Sequence, residues 1–120
     1  MEPGETRNPL TELRRGVLEF CVLAVIRDTE AYAYDIVRVL SDAGGLVTSE
    51  GTIYPLLARL RRDGLTATTW RESNAGPPRR YYRITPAGRR ALDAFMGDWS
   101  GFRDAVDGIL TRPKRERTGQ

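Results

Sequence analysis

The segment Ser49–Leu65 constrains the fold of this chain most strongly, because it describes an amphipathic helix with a fixed start and end. Its apolar residues recur at the i, i+3, i+4, i+7 spacing of one helix face: Ile53, Leu56, Leu57 and Leu60. Pro55 is tolerated only near the first turn of a helix, so the helix is predicted to begin between Ser49 and Thr52. The opposite face is free to meet a ligand, although an ordinary surface helix with solvated arginines would show the same pattern.

The residues that follow predict a basic β-hairpin. Leu65–Glu72 reads as a threonine-rich strand, Ser73–Pro78 as a turn, and residues 80–84 as a return strand with period-two alternation. Tyr82 and Ile84 are predicted to face inward. An arginine-bearing helix followed by a basic hairpin is the arrangement of a winged helix-turn-helix, in which the helix enters a DNA groove and the wing contacts the backbone.

The N-terminal half supplies two further predicted helices. The first spans Leu10 to about Arg27, with Thr11 as its cap and an apolar face formed by Leu13, Val17, Phe20, Cys21 and Ala24. The second spans Ala33–Ala43, buries Ile36, Val37 and Leu40, and ends at Gly44–Gly45. We expect Cys21 to be a buried core thiol rather than a redox switch. The predicted class is mainly α with a small β-hairpin.

The C-terminal segment predicts one long helix, because Thr85 and Pro86 form a strong helix start. An apolar seam follows at alternating spacings of four and three: Gly88, Leu92, Phe95, Trp99, Phe102, Val106 and Ile109. Such a seam packs along another helix, either the first helix of the same chain or the same helix of a second copy. We expect it to lie partly across a two-fold dimer interface. Three glycines either weaken the case for an unbroken helix or mark a close backbone approach to a partner: Gly97, Gly101 and Gly108.

The distribution of charge supports a nucleic-acid partner. The segment 49–90 holds nine arginines and three acidic residues, a net charge of +6, which leaves −3 for the rest of a chain whose total is +3. A basic central module flanked by acidic helices is expected when one surface faces phosphates and another faces protein.

Composition narrows the classes of fold and function that this chain can belong to. A chain of 120 residues favours one domain, and it has no apolar run long enough for a membrane span. The polar N-terminus and the single cysteine favour the cytoplasm. Histidine is absent, and no phosphate-loop or nucleophile motif is present. We therefore predict no enzyme activity, no metal and no cofactor.

These residues resemble the phenolic-acid decarboxylase regulator (PadR) family of bacterial transcriptional repressors, in its short form. The resemblance covers about residues 10–110 and rests on five segments: residues 13–19, 34–36, 49–60, 64–65 and 76–88. The run Gly51-Thr52-Ile53-Tyr54-Pro55-Leu56-Leu57 is highly specific when paired with the run from Pro78 to Gly88. Ala33 departs from the family, which usually has glycine there.

The resemblance implies a homodimeric repressor of a palindromic or near-palindromic operator in double-stranded DNA. The predicted organisation is a flexible arm at 1–9, a winged-helix DNA-binding domain at 10–85, a dimerisation helix at 86–110 and a disordered basic tail at 111–120. The implied DNA contacts are Ser49, Thr52, Tyr54, Arg59 and Arg62 on the recognition helix, with Arg79 and Arg80 on the wing. The dimer interface predicted from the apolar seam comprises Leu92, Phe95, Trp99, Phe102, Val106 and Ile109.

Two further possibilities remain open at this stage. Phe95, Trp99 and Phe102 could hold a planar hydrophobic ligand, which would alter the spacing of the two winged-helix domains in the dimer. The alternative is that this aromatic stripe only packs in the interface. A winged helix can also serve as a protein–protein interaction module without specific DNA binding. A steep salt dependence of duplex binding separates a regulator from such a module.

Overall fold

The computed structural model describes residues 9–47 and 49–114, which form four helices and a three-stranded antiparallel sheet. The predicted class is therefore confirmed. In chain order the elements are α1 Pro9–Val25, β1 Ala31–Tyr32, α2 Ala33–Asp42, α3 Glu50–Arg62, β2 Thr66–Ser73, β3 Gly76–Ile84 and α4 Pro86–Leu110. Most of the predicted N-terminal arm, and the tail beyond residue 114, lie outside the described residues.

One core joins the first three helices to the sheet. The predicted apolar face of α3 is buried throughout, with Ile53 and Leu57 fully enclosed, and so is the predicted face of α2. Tyr82 and Ile84 point into this core from β3, as predicted. Gly44 and Gly45 end α2 with φ of 83° and 73°, values that a residue without a side chain adopts without strain.

The predicted orientation of α1 is wrong. Its core residues are Leu18, Val22 and Leu23, with Ile26 just beyond the helix, whereas the predicted face is only partly buried or, at Leu13, exposed. The reason is that residues 20–25 of α1 are all apolar, so periodicity alone could not choose the buried face. The helix also begins at Pro9, which places Thr11 inside the helix rather than at its cap.

The sheet contains a strand that the sequence did not predict. β1 has two residues and pairs with β3, giving the strand order β1-β3-β2. The hairpin turn is also tighter than predicted, because Ser73 pairs with Gly76 and the prolines Pro77 and Pro78 belong to β3. The wing is therefore a longer and stiffer arm than a six-residue turn would give.

Helix α4 is a single helix of 25 residues that continues through Gly97, Gly101 and Gly108. Its start is fixed as predicted, because the Thr85 hydroxyl accepts a hydrogen bond of 3.0 Å from the backbone N–H of Gly88. Within α4, the buried residues are Gly88 and Leu92, so most of this helix extends away from the core. None of the helices in the described ranges combines the length and hydropathy that a membrane span requires.

Candidate nucleic-acid interface

The start of α3 presents polar groups to solvent. Ser49 is the N-cap residue, and its hydroxyl lies 3.2 Å from the hydroxyl of Thr52. The Tyr54 hydroxyl donates a hydrogen bond of 3.1 Å to the Glu50 carboxylate, while the Tyr54 ring is half exposed. These three predicted site residues therefore lie together at one end of the helix, with their polar groups accessible.

Tyr54 keeps its proton at neutral pH. Partial burial raises the pKa of its hydroxyl above the ordinary value of tyrosine, and the hydrogen bond to Glu50 and the charge of that carboxylate raise it further. A protonated phenol donates hydrogen bonds to phosphates or base acceptors. Glu50 was not among the predicted site residues, although a carboxylate at this position can accept from cytosine.

Arg59 and Arg62 differ in their surroundings. The guanidinium of Arg59 lies 2.8 Å from the carboxylate of Glu19 on α1, whose side chain is only 16% exposed. This pair braces α3 against α1, and the role of Arg59 as a DNA contact stays a prediction. Arg62 is 72% exposed and lies 3.6 Å from Asp63, a solvent-screened neighbour. Arg62 is therefore the more available cation.

The two wing arginines point to opposite faces of β3, because successive residues of a strand alternate. Arg80 pairs across the ladder with Trp70, and its guanidinium lies 4.9 Å from the centre of that ring. Arg79 lies on the outer face, 4.6 Å from the centre of the Tyr32 ring. Both cations are held over aromatic faces, which reduces the entropy lost when they bind an anion.

A shallow cavity separates the wing from α3, and Tyr54, Trp70 and Arg80 are among the residues that line it. Trp70 is 61% exposed and is not among the predicted site residues. The strand pairing sets Trp70 opposite Arg80, a proximity that local sequence patterns do not indicate. On α2, the exposed Tyr34 ring lies 6.1 Å from the ring of Tyr32 in β1, and the guanidinium of Arg38 lies 5.9 Å from the centre of the Tyr34 ring.

A second surface lies between α1 and α4 and is apolar. The rings of Phe20 and Phe95 stack in parallel with centroids 4.2 Å apart, and Trp99 stacks on Phe95 at 5.4 Å. Phe102 follows and is 59% exposed. We call this surface the aromatic groove; it is lined by Leu13, Gly16, Val17, Phe20, Phe95, Asp98, Trp99 and Phe102.

Two of the predicted interface residues pack within their own chain. Leu92 is only 2% exposed within its own chain, so it belongs to the core and leaves no surface for a partner. Phe95 packs on α1 of the same chain, which was the alternative partner for the seam. Beyond Trp99, none of the described residues covers the seam.

Cys21 packs against the core without full burial, and this partial burial raises the pKa of its thiol and lowers its reactivity.

A helical recognition element, a basic wing and a long projecting helix together define a winged-helix transcriptional regulator. The model of the transcriptional regulator PadR-like family matches residues 22–94, and the chain belongs to this family. The prediction that the chain is not an enzyme is confirmed by this membership, since members of the family are transcriptional regulators.

Individual proteins agree with this assignment. The chain is 40% identical over 83 residues to the transcriptional regulator Rv3488 of Mycobacterium tuberculosis. The matched segment covers 69% of this chain and 76% of that protein. The solved structure of a PadR family transcriptional regulator from Eggerthella lenta matches with a TM-score of 0.74 and 38% identity, covering 87% of this chain and 90% of that one. The solved structure of a PadR-like transcriptional regulator from Bacillus cereus matches with a TM-score of 0.74 and 36% identity, covering 85% of this chain and 99% of that one.

Proposed function

We propose that this protein is a homodimeric repressor that binds a palindromic operator through α3 and the wing. The observation that carries the proposal is the exposed face of α3, where Ser49, Thr52 and Tyr54 lie at the groove-entering end and Arg62 lies further along. The proposal assigns residues 10–85 to DNA reading and residues 86–110 to dimerisation. Since its ligand is genomic DNA, the protein is proposed to act in the cytoplasm.

The proposed dimer forms along the uncovered part of α4. Phe102, Ile109 and Leu110 are 59%, 63% and 75% exposed in a single chain, and Leu13 of α1 adds to the same apolar surface. A contiguous exposed apolar surface of this kind usually marks an interface. A second copy covers it by symmetry, because a two-fold axis places identical seams against each other.

Selection of bound duplexes from a random pool tests the proposal. A homodimer is expected to enrich a palindrome whose half-sites are centred about one helical turn, ~34–36 Å, apart or a multiple of that distance. Affinity is expected to fall steeply as salt concentration rises, because bound arginines release counterions. A flat salt response with no enriched sequence would instead indicate a protein–protein interaction module.

The wing arginines are proposed to bind phosphates. We expect Arg79→Gln and Arg80→Gln each to weaken binding to operator and random duplexes alike. Each lost contact lowers the salt slope by about 0.9, or about 1.8 for the two copies in a dimer. Arg83→Gln is the matched control, since Arg83 lies on the same strand away from the hairpin tip. A change in preferred sequence without a change in slope would assign these arginines to bases instead.

The aromatic groove is proposed to hold a planar hydrophobic ligand that releases the repressor from DNA. Phe95, Trp99 and Phe102 line an open space of about 470 Å³, enough for a small aromatic molecule. The chain has two tryptophans, so a Trp70→Phe variant leaves Trp99 as the single tryptophan whose emission reports on the groove. A planar ligand is expected to quench this fluorescence and weaken operator binding together. Unchanged emission across a broad panel of planar aromatics would contradict the ligand site.

A further inference from the structure

The exposed surface of α3 has two flanks, which are set by its helical wheel. Gly51, Pro55, Ala58 and Arg62 lie opposite the buried face and form the centre of the exposed surface. Tyr54 lies to one side, where it faces Trp70 and Arg80 of the wing. Thr52 and Arg59 lie to the other side. The wing therefore covers only one flank of the recognition helix.

The other flank is bordered by the N-terminal half of α1. A cavity separates this part of α1 from α3, and it is lined by Arg14 and Arg15 together with Thr52, Pro55 and Arg59. We call it the arginine cavity. Both Arg14 and Arg15 are exposed, and a guanidinium nitrogen of Arg14 donates a hydrogen bond of 2.8 Å to the Leu46 carbonyl. That bond fixes the Arg14 side chain beside the turn that precedes α3.

The charge of the arginine cavity is positive. Its floor is apolar, formed by Leu18, Leu46, Val47 and Leu56. Glu19 lies next to the cavity, but its carboxylate is already paired with Arg59. Among the described residues, neither Arg14 nor Arg15 forms a salt bridge. Two guanidinium groups without a salt bridge to any described side chain, at the edge of a DNA-reading helix, are suited to bind phosphate.

The major groove of DNA is about as wide as an α-helix with its side chains, so both flanks of a bound α3 would lie near phosphates. The major groove is about 12 Å wide, and an α-helix with its side chains is about 10–12 Å in diameter. A helix seated in the groove therefore brings each of its flanks close to one of the two bordering phosphate backbones. The wing lies at one flank and the arginine pair of α1 lies at the other.

We propose that Arg14 and Arg15 bind the phosphates of the backbone opposite to the one bound by the wing, so that each recognition helix is held from both sides. This inference rests on the proposed function, because it requires α3 to occupy the major groove. It adds α1 to the DNA-binding surface, and it assigns Arg14 and Arg15 to orientation of α3 rather than to recognition of bases.

The test uses Arg15→Gln in the full-length dimer, because Arg15 has no hydrogen bond to another described residue that the substitution would break. We expect the salt slope of operator binding to fall by about 1.8 and the affinity at about 0.1 M salt to fall roughly 60-fold, from ~0.9 per phosphate contact and two copies per dimer. The ratio of operator to random-duplex affinity stays unchanged. Arg15→Lys restores most of the slope.

Arg112→Gln is the matched control, because it removes the same charge from an exposed position after α4. Duplexes with single neutral methylphosphonates map the contacts. The wild type is expected to lose affinity when phosphates on either border of the groove are neutralised, whereas Arg15→Gln loses sensitivity on the α1 border only. An Arg15→Gln slope equal to that of Arg112→Gln would overturn the inference while leaving the proposed function intact. A wild type without salt-dependent duplex binding would overturn both.

Discussion

The Gly88→Ala variant is expected to lose about 3 kcal/mol of unfolding free energy. A Cβ atom at this position would lie 2.1 Å from the carbonyl oxygen of Leu65 and 2.8 Å from Cγ1 of Ile84. The Leu65 oxygen cannot move freely, because it accepts a hydrogen bond of 3.1 Å from the backbone N–H of Thr85. Relief of the clash must therefore shift α4 away from the winged helix. Overpacking costs typically ~1–3 kcal/mol, and loss of a buried backbone hydrogen bond adds to that cost.

Urea unfolding followed by circular dichroism measures this effect, at one fixed protein concentration because a dimer's stability depends on it. Gly97→Ala is the matched control. It makes the same substitution in the same helix on the face opposite the seam, where a Cβ meets no atom within 4 Å. Since alanine is the better helix former, this control is expected to gain about 1 kcal/mol. A Gly88→Ala variant as stable as the wild type would show that α4 does not dock against the α3–β2 turn.

The Phe102→Asp variant is expected to abolish the proposed dimer and to lower operator affinity by roughly 10²–10⁴-fold. Phe102 is 59% exposed in one chain, so the substitution leaves the folded protomer intact. In the dimer, however, it would bury a charge in an apolar interface, at a cost of several kcal/mol. A single protomer then binds one half-site and loses the gain of about 10²–10⁴ that linkage to a second head provides.

Analytical ultracentrifugation and duplex titration measure the two effects together. Ser100→Asp is the matched control, because it adds the same charge to an exposed position of α4 away from the seam. It is expected to remain dimeric and to bind normally. Should Phe102→Asp also remain dimeric with wild-type affinity, the interface does not lie along this part of α4.

Local patterns predicted the parts of the fold that local chemistry determines. The apolar face of α3 and the Thr85-Pro86 start of α4 follow from spacing and capping within a few residues. The hairpin followed from alternation in β3. Family resemblance then supplied the arrangement of these elements, which periodicity alone does not give.

The features that the sequence did not predict share one cause: each depends on contacts between residues that are distant in the chain. β1 has only two residues, and its identity as a strand comes from pairing with Tyr81 and Tyr82, about fifty positions later. The ion pair between Glu19 and Arg59 joins two helices that no local rule connects. The buried face of α1 is determined by which neighbours cover it. For the same reason, the arginine pair of α1 gained its position beside α3 only in the folded chain.

We propose that two copies join along α4 and present paired recognition helices to one duplex. Native mass spectrometry of the protein at micromolar concentration, alone and with the selected palindrome, measures both parts of this arrangement. We expect a dimer without DNA and a complex of two chains with one duplex. A monomer that binds none of the duplexes would rule the arrangement out.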